Sequence, residues 1–273
     1  DEVIDFLAEL AADPTQAAPK GGPSAVGYVK HPKWGNNGWG TDAIGDTTGT
    51  GFYRAQAAAR LSGGDVVVAG TTRRNVAGAR SHMGLARYNS RGHRVPWTGV
   101  NADFGYHNNE YIRFPNNEAW GNTRQLIAVN DVKIHDDRIY VLFTFLEGGT
   151  RRAGVIRWGA NGSAGGWWAI SPNDGTIRDG VAMDILGDHL IVLGRRSHDI
   201  ADSNGGYWIN RATIASNGNI TWAASPTTLE LSLRLIPADI RFQRTGAIPA
   251  VPPKFYVAES YRPGATIYPC ISR

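Results

Sequence analysis

The sequence predicts an all-β fold, a single β-propeller. Four segments share one apolar strand pattern, and three of them are followed by another strand and a glycine turn. Repeated units of roughly 50 to 75 residues with several short strands each are typical of propeller blades. The four apolar strands are Asp65-Val-Val-Val-Ala, Arg138-Ile-Tyr-Val-Leu, His189-Leu-Ile-Val-Leu and Lys254-Phe-Tyr-Val-Ala.

The composition agrees with a globular β protein. Of its 273 residues, 42% are hydrophobic and 19% charged, and it has 34 glycines and nine tryptophans, which suit tight turns and packing between sheets. The net charge of +4 is modest and no basic run exceeds two residues, so a nucleic-acid partner is not predicted. No apolar run is long enough to span a bilayer. The single cysteine, Cys270, allows no internal disulfide.

The N-terminal part is expected to differ from the rest. Residues 1–12 carry apolar side chains at helical spacing and acids in the first turn, which predicts a short amphipathic helix. We therefore divide the chain into a helix and linker over residues 1–23 and a propeller over residues 24–273. The first residue is Asp1 rather than methionine, which suggests a processed or trimmed N-terminus and is compatible with a removed signal peptide.

Each unit is predicted to contain four strands. After the apolar strand come a third strand, a glycine turn and a last strand that ends on tryptophan. Asn-Gly in such a turn is a strong hairpin signal, because both residues tolerate positive φ. The third strands are aligned as Leu85-Ala-Arg-Tyr, Val155-Ile-Arg-Trp and Arg211-Ala-Thr-Ile. The units cover residues 52–99, 122–170, 178–224 and 232–273.

The fourth unit is predicted to be completed from the other end of the chain. It stops where its glycine turn and last strand are due, and residues 36–44 have the pattern of a glycine turn plus a last strand. A ring of four blades closed by this N-terminal strand leaves no open sheet edge. The alternative is a chain truncated at Arg273, with further blades lost or supplied by another chain.

The cleanest repeat resembles a known family. Gly64-Asp-Val-Val-Val-Ala-Gly70 followed by Leu85-Ala-Arg-Tyr-Asn89 is similar to the delta-60 type of β-propeller repeat, found in bacterial surface and secreted proteins. The resemblance extends over residues 52–273. It implies a propeller in an envelope, periplasmic or extracellular setting. It implies no catalytic residues, since the motif is a folding motif.

One position of the predicted first strands is charged in every unit. Arg60, Lys133, Asp184 and Arg241 align there, and the first strands of a propeller line its central channel. Three cations and one carboxylate predict a positive ring suited to an anionic ligand. The alternative is a structural, water-filled channel in which Asp184 pairs with a neighbouring arginine.

A polar and aromatic insertion at residues 101–120 is the second candidate site. Its Tyr106, His107, Tyr111 and Trp120 are predicted to form a ligand pocket whose rings stack on a sugar, because loops on a rigid scaffold often carry function. The alternative is that tryptophans fill the core between blades. That role is expected for Trp97, Trp158, Trp167 and Trp222.

A third candidate is a loop with three oxygen donors. Asp199, Asp202 and Asn204 precede two glycines, and calcium prefers several such oxygens. The spacing does not match an EF-hand, so an ordinary polar loop is the favoured interpretation. No other cofactor is predicted.

No catalytic motif is present. The sequence lacks a Gly-x-Ser-x-Gly elbow, a His-Glu-x-x-His pair and a phosphate loop. The predicted function is therefore an extracytoplasmic module that binds a glycan, an anionic small molecule or a protein on one face of the ring. The rival is a propeller-fold hydrolase or lyase with a histidine and carboxylate site at the channel mouth. A third alternative is a purely structural domain.

Overall fold

The computed structural model describes residues 51–74, 81–99, 106–107, 111–114, 124–170, 179–195, 207–223, 227–229, 235–242, 254–261 and 268–272. Within these ranges the protein is all β, as predicted, and contains no helix. The predicted N-terminal helix of residues 1–23 and the predicted closing strand of residues 36–44 lie outside the described residues.

The described strands form four antiparallel sheets that follow one another along the chain. Sheet 1 contains β1 (Gly51–Arg60), β2 (Val66–Arg74), β3 (Ser81–Tyr88), β5 (Tyr111–Phe114) and β4 (Tyr106–His107) in that order. Sheet 2 contains β6 (Arg124–His135), β7 (Arg138–Glu147), β8 (Thr150–Gly159) and β9 (Ala164–Ala169). Sheet 3 contains β10 (Asp179–Leu186), β11 (His189–Arg195), β12 (Tyr207–Ile214) and β13 (Ile220–Trp222), with β14 (Thr227–Leu229) also paired to β12. Sheet 4 contains β15 (Leu235–Phe242), β16 (Phe255–Tyr261) and β17 (Tyr268–Ser272).

The central strands of sheets 2 and 3 are apolar because both of their faces are buried. In β7, Ile139, Val141 and Phe143 pack into a core shared with sheet 1. The alternate residues Tyr140 and Leu142 pack into a second core shared with sheet 3. A third core joins sheets 3 and 4. The sheets are therefore stacked face to face in chain order, which is how successive propeller blades pack.

The first strands of successive sheets lie side by side. β1 packs against β6, β6 against β10, and β10 against β15. Each of these strands also lies across the later strands of the preceding sheet, as β6 does on β2 and β3. First strands that converge while later strands spread outward are the arrangement of propeller blades around an axis.

All four first strands contain a bulge at the same place. At the bulge, one residue of the first strand has no partner on the central strand. When the central strands are aligned, this unpaired residue lies between the same two positions in every sheet. A bulge bends its strand and increases the local twist. The skipped residues are Gln56, Asn130, Val181 and Ala238. They share no chemistry, so the sequence pattern did not predict this repeat.

Three equivalent arginines on the third strands reach the following sheet. Arg87 donates to the carbonyl oxygen of Ala160 over 3.3 Å, and Arg157 donates to that of Asn217. Both carbonyls belong to a glycine turn of the next sheet. The third of these residues, Arg211, lies over an aromatic ring of β16, 5.2 Å from its centroid.

The register corrects one part of the predicted alignment. Tyr140 pairs with Arg157 and Ile191 pairs with Arg211. Arg211 is therefore the counterpart of Arg157, and the predicted match of Arg211-Ala-Thr-Ile to the other third strands was wrong by two residues. The longer hairpin of sheet 3 explains the error, because its glycine turn lies two residues further along the chain.

The outer strand of sheet 1 also differs from the prediction. The segment that ends on Trp97 makes only an isolated bridge, between Tyr88 and Arg94. Strand β5, from the insertion, pairs with β3 in its place. Trp97 and Trp158 are nevertheless fully buried in the core between sheets 1 and 2. Trp167 and Trp222 pack against the cores from their edges, so all four tryptophans have the expected role.

Gly194 gives a direct test of this packing. A Cβ atom at this position would overlap the ring of Trp208 and the carbonyl oxygen of Asp179, and Trp208 is fully buried. We expect Gly194→Ala to lower the free energy of unfolding by about 3 kcal/mol, because neither neighbour can move without disturbing the core. Gly63→Ala is the control, since a Cβ there meets no atom within 4 Å. Equal urea unfolding curves for the two variants would contradict this packing.

Candidate functional site

The predicted charged column holds for three of its four members. Lys133, Asp184 and Arg241 pair with equivalent residues of the central strands, whereas Arg60 pairs one residue out of step, with Val66. Side chains alternate along a strand, so a shift of one residue moves Arg60 to the opposite face of its sheet. The first-strand residue that aligns with the other three is Ala59, so the structure does not bring all four charges together.

Lys133 is paired within its own strand. Its ammonium lies 3.2 Å from Asp131 Oδ1, and both side chains are largely buried. Asp131 Oδ2 accepts the backbone N–H of Met183, in the first strand of sheet 3, over 2.9 Å. Burial raises the pKa of Asp131 above its usual value, and the charge of Lys133 offsets only part of that rise. This carboxylate joins sheet 2 to sheet 3.

Asp184 has the same function one sheet further on. Its carboxylate is buried, and Oδ2 accepts the N–H of Phe242, in the first strand of sheet 4, over 2.8 Å. The alternative interpretation of Asp184 as a structural residue therefore has a specific basis in this bond to a backbone amide. A buried carboxylate with such a bond is poorly placed to bind a ligand in the channel.

Arg241 repeats the local geometry of Lys133. Arg241 Nε lies 3.2 Å from Asp239 Oδ2, and the Ile240 N–H donates to Asp239 Oδ1 over 2.8 Å. About a third of each of the two charged side chains is exposed, against 13% for Lys133. This acid–base pair is therefore the more accessible of the two.

Two further hydrogen bonds, both beside a bulge, link a first strand to the preceding sheet. Gln56 Oε1 accepts the N–H of Val129 over 3.3 Å, which links sheet 1 to sheet 2. The hydroxyl oxygen of Thr144 accepts the N–H of Gly180 over 3.2 Å, which links sheet 2 to sheet 3. Val129 and Gly180 both lie directly before a bulged residue. The polar side chains near the axis therefore mainly satisfy backbone amides.

The aromatic insertion forms part of a sheet. Tyr106 and His107 make up β4, at the outer edge of sheet 1, and Tyr111 begins β5. The sheet order puts these strands at the edge opposite β1, so the structure does not bring them to the charged column. Trp120 and the predicted metal donors Asp199, Asp202 and Asn204 lie outside the described residues.

The two ends of the sheets differ. We call the end where the first strands begin the loop end, and the end where they stop the turn end. At the turn end, β6 joins β7 and β10 joins β11 through two residues each. At the loop end, the second and third strands are joined by residues 75–80, 196–206 and 262–267. Two sheets depart from this difference. In sheet 2 the second and third strands are joined at the loop end by only two residues, and in sheet 4 the first and second strands are joined at the turn end by residues 243–253.

A group of charged and aromatic residues that the sequence did not predict lies at the loop end of sheet 2. Arg124 Nε donates to Glu147 Oε1 over 2.5 Å, and Arg152 donates to Glu147 Oε2. The guanidinium of Arg124 lies over the Trp167 ring, 5.3 Å from its centroid, and that of Arg152 lies over Phe145. We call these five residues the arginine–glutamate cluster. Two cations share one carboxylate, which leaves one positive charge in excess.

Burial affects the electrostatics of this cluster. Burial lowers the pKa of Arg152, and the nearby charge of Arg124 lowers it further. On the other face of the sheet, Arg151 Nε donates to Asp179 Oδ1 over 2.6 Å and so reaches sheet 3. Sequence spacing did not indicate the cluster, because Arg124, Glu147 and Arg152 belong to three different strands.

Two of the described histidines lie close to carboxylates at the turn end. His135 lies 3.4 Å from Asp136, and His189 lies 3.5 Å from Asp188. Each partner is the chain neighbour of its histidine, and both carboxylates are about two-thirds exposed. Water therefore has access to these two pairs.

A search of the described residues finds no group of three histidine, cysteine or acidic side chains placed to hold a metal ion. The same residues include no helix long and apolar enough to cross a membrane.

The comparisons with known proteins concern the fold. No protein-family model matches the chain, and no curated protein matches it in sequence. Among solved structures it is similar to a GH32 beta-fructofuranosidase of Bombyx mori, with 13% identity and a TM-score of 0.42, over 77% of this chain and 43% of that one. It is also similar to a levansucrase of Bacillus subtilis, with 11% identity and a TM-score of 0.40, over 81% of this chain and 62% of that one.

The chain therefore spans less than two-thirds of the length of these two structures. Likenesses at this level of identity and TM-score transfer neither a substrate nor a mechanism to this chain.

The raised pKa of Asp131 predicts a pH dependence of stability. An acid that binds its proton more tightly in the folded state contributes stability that is lost as pH rises from the unfolded value of 3.8 through the folded pKa. Asp131→Asn keeps an oxygen for the Met183 amide but cannot ionise. We expect the unfolding free energy of the wild type, minus that of the variant, to fall as pH rises through this window.

Asp188→Asn, at an exposed turn, serves as the control for this experiment. Urea unfolding over a series of pH values measures both differences. A wild-type minus Asp131→Asn difference that stays constant or rises with pH would contradict the assignment.

Proposed function

We propose that this protein is an extracytoplasmic β-propeller that binds a carbohydrate at the loop end of its sheets. The observation that carries this proposal is the contrast between the axis and the loop end. Near the axis, the side chains of Gln56, Asp131, Thr144 and Asp184 accept backbone amides of the protein itself. At the loop end, the arginine–glutamate cluster combines partly exposed guanidinium groups with an aromatic ring, a combination suited to a polar ligand with flat apolar faces.

Two other supports come from the chain itself. The resemblance of Gly64–Asn89 to repeats of bacterial surface and secreted proteins favours an envelope or extracellular setting. The long connections at the loop end are where a rigid scaffold most often carries its recognition residues. The proposal also includes the predicted binding of calcium by Asp199, Asp202 and Asn204, in the connection formed by residues 196–206.

The alternative function is that of a hydrolase acting on the same class of ligand. The two similar structures are named as a fructofuranosidase and a levansucrase, so cleavage or transfer of a sugar must be among the outcomes measured. In this chain the described carboxylates at the loop end, Glu147 and Asp179, are each paired with arginine. The alternative therefore requires a free carboxyl group elsewhere at that end.

We further propose that the sheets form a ring of four blades in which residues 36–44 complete sheet 4. The pair Asp239 and Arg241 supports this, because it repeats the pair Asp131 and Lys133, whose carboxylate accepts an amide from the next first strand. The face of β15 thus presents the same kind of acceptor to a further first strand, which in a ring of four is β1.

Binding is tested on an array of neutral and acidic oligosaccharides, and positive ligands are then titrated by calorimetry. We expect saturable binding to at least one glycan class. Arg152→Gln should weaken this binding by about tenfold, because it removes a charge-assisted donor. Arg91→Gln, at an exposed position of the turn end, should leave it unchanged. Absence of binding to every glycan would refute the proposal, and release of new reducing ends would replace it with the hydrolase alternative.

Two truncations test the ring. Removal of residues 1–23 keeps the predicted closing strand, and removal of residues 1–45 deletes it. We expect the shorter truncation to leave the melting temperature within a few degrees of the full chain. The longer one should lower it by roughly 10 °C or more, because the edge strand of sheet 4 loses its partner. Equal melting temperatures for the two truncations would contradict closure by this strand.

A further inference from the structure

The arginine–glutamate cluster lies at the edge of a core, where its geometry is well defined. Arg124 on β6 is the cross-strand partner of Glu147 on β7, and Arg152 on β8 is the cross-strand partner of Phe145 on β7. Phe143, Phe145 and Trp167 pack together beneath them, with Phe145 and Trp167 edge to face at 5.9 Å. The guanidinium groups therefore rest on a rigid aromatic platform and have little freedom to turn away.

The donors of this cluster exceed its acceptors. Arg124 bonds to Glu147 through Nε, and its two terminal nitrogens make no hydrogen bond within the part of the chain that the structure describes. About a third of the Arg124 side chain is exposed. A planar guanidinium with two free terminal nitrogens matches the two oxygens of a carboxylate.

Glu147 neutralises only part of the positive charge of the cluster. One carboxylate bridges two guanidinium groups, so among the described side chains of this partly buried cluster the cations exceed the anions by one. A second carboxylate would restore neutrality and would bind the open side of Arg124. Because interactions between partly buried charges are screened less than those in water, this excess of positive charge favours an anion over a neutral group.

From this geometry we infer that the cluster is a subsite for the carboxylate of an acidic sugar, with Arg124 and Arg152 as its donors and the Trp167 edge as a wall of the site. This inference rests on the proposed function and names the substrate class of the same end of the sheets. Glu147 is the internal competitor of the ligand, and it holds both arginines in position when the site is empty.

The test uses two ligands with the same sugar backbone, an oligogalacturonate and its methyl-esterified form, in which each charged carboxylate is replaced by a neutral methyl ester. Both are titrated by calorimetry into the full chain. We expect the acid to bind at least tenfold more tightly than the ester, with an affinity that falls as salt is raised. Arg124→Gln should remove this preference while leaving ester binding unchanged. Glu147→Gln should strengthen acid binding, because it removes the competing carboxylate.

Arg91→Gln is the matched control, since it removes one arginine at the opposite end of the sheets. Melting temperatures of all variants separate a folding defect from a binding defect. If Glu147→Gln unfolds, Arg124→Lys replaces it, and it should retain binding but lose part of the preference because a lysine lacks the planar fork.

The outcomes separate the two proposals. Equal affinity for acid and ester, or an Arg124→Gln variant that weakens both alike, overturns the acidic subsite and leaves carbohydrate binding in place. Binding of neither ligand, together with an empty glycan array, overturns both. A preference for the acid that persists in Arg124→Gln assigns the recognition to other residues and likewise overturns the subsite.

Discussion

The stacking of the four sheets depends on one kind of hydrogen bond, from a backbone amide of a first strand to a side chain of the preceding sheet. Gln56, Thr144, Asp131 and Asp184 supply the acceptors. An amide buried between two sheets without a partner costs about 1 to 3 kcal/mol. Each of these side chains therefore fixes the distance and the register between two sheets, which the apolar cores alone would leave free to slide.

The bulges and these bonds belong together. A bulge interrupts the ladder between the first and second strands, and two of the bonds involve the amide just before it, at Val129 and Gly180. The acceptors differ in chemistry, an amide in one sheet and a hydroxyl in the next. Each of these two backbone amides therefore has a side-chain acceptor in the preceding sheet, but the residue type of that acceptor is not repeated.

This explains how far the sequence could predict the fold. The central strands, the glycine turns and the roles of Trp97 and Trp158 follow from local patterns, and the structure confirms them. Arg60 was assigned to the charged column from the alignment of the first strands, and only its pairing with Val66 shows the slip of one residue. The strand at Tyr111–Phe114 was missed because a third strand can pair with any nearby segment.

The candidate site was harder to predict than the fold. Charged residues in first strands suggested a channel ligand, but Lys133 and Asp184 are occupied by groups of the protein itself. The cluster of Arg124, Glu147 and Arg152 arises where three strands end together, which no single segment shows. In this protein the polar residues described near the axis build the scaffold, and we propose the loop end as the place of recognition.

The central claim is that side chains of one sheet hold the backbone of the next, and hydrogen exchange of the Met183 amide tests it most directly. In the wild type this amide should exchange slowly, because Asp131 accepts its hydrogen. In Asp131→Ala it should exchange at least tenfold faster. The amide of Ile156, in the middle of sheet 2, is the reference, and its exchange rate should change only as much as the rate of global unfolding does. Unchanged protection of Met183 in this variant would contradict the account.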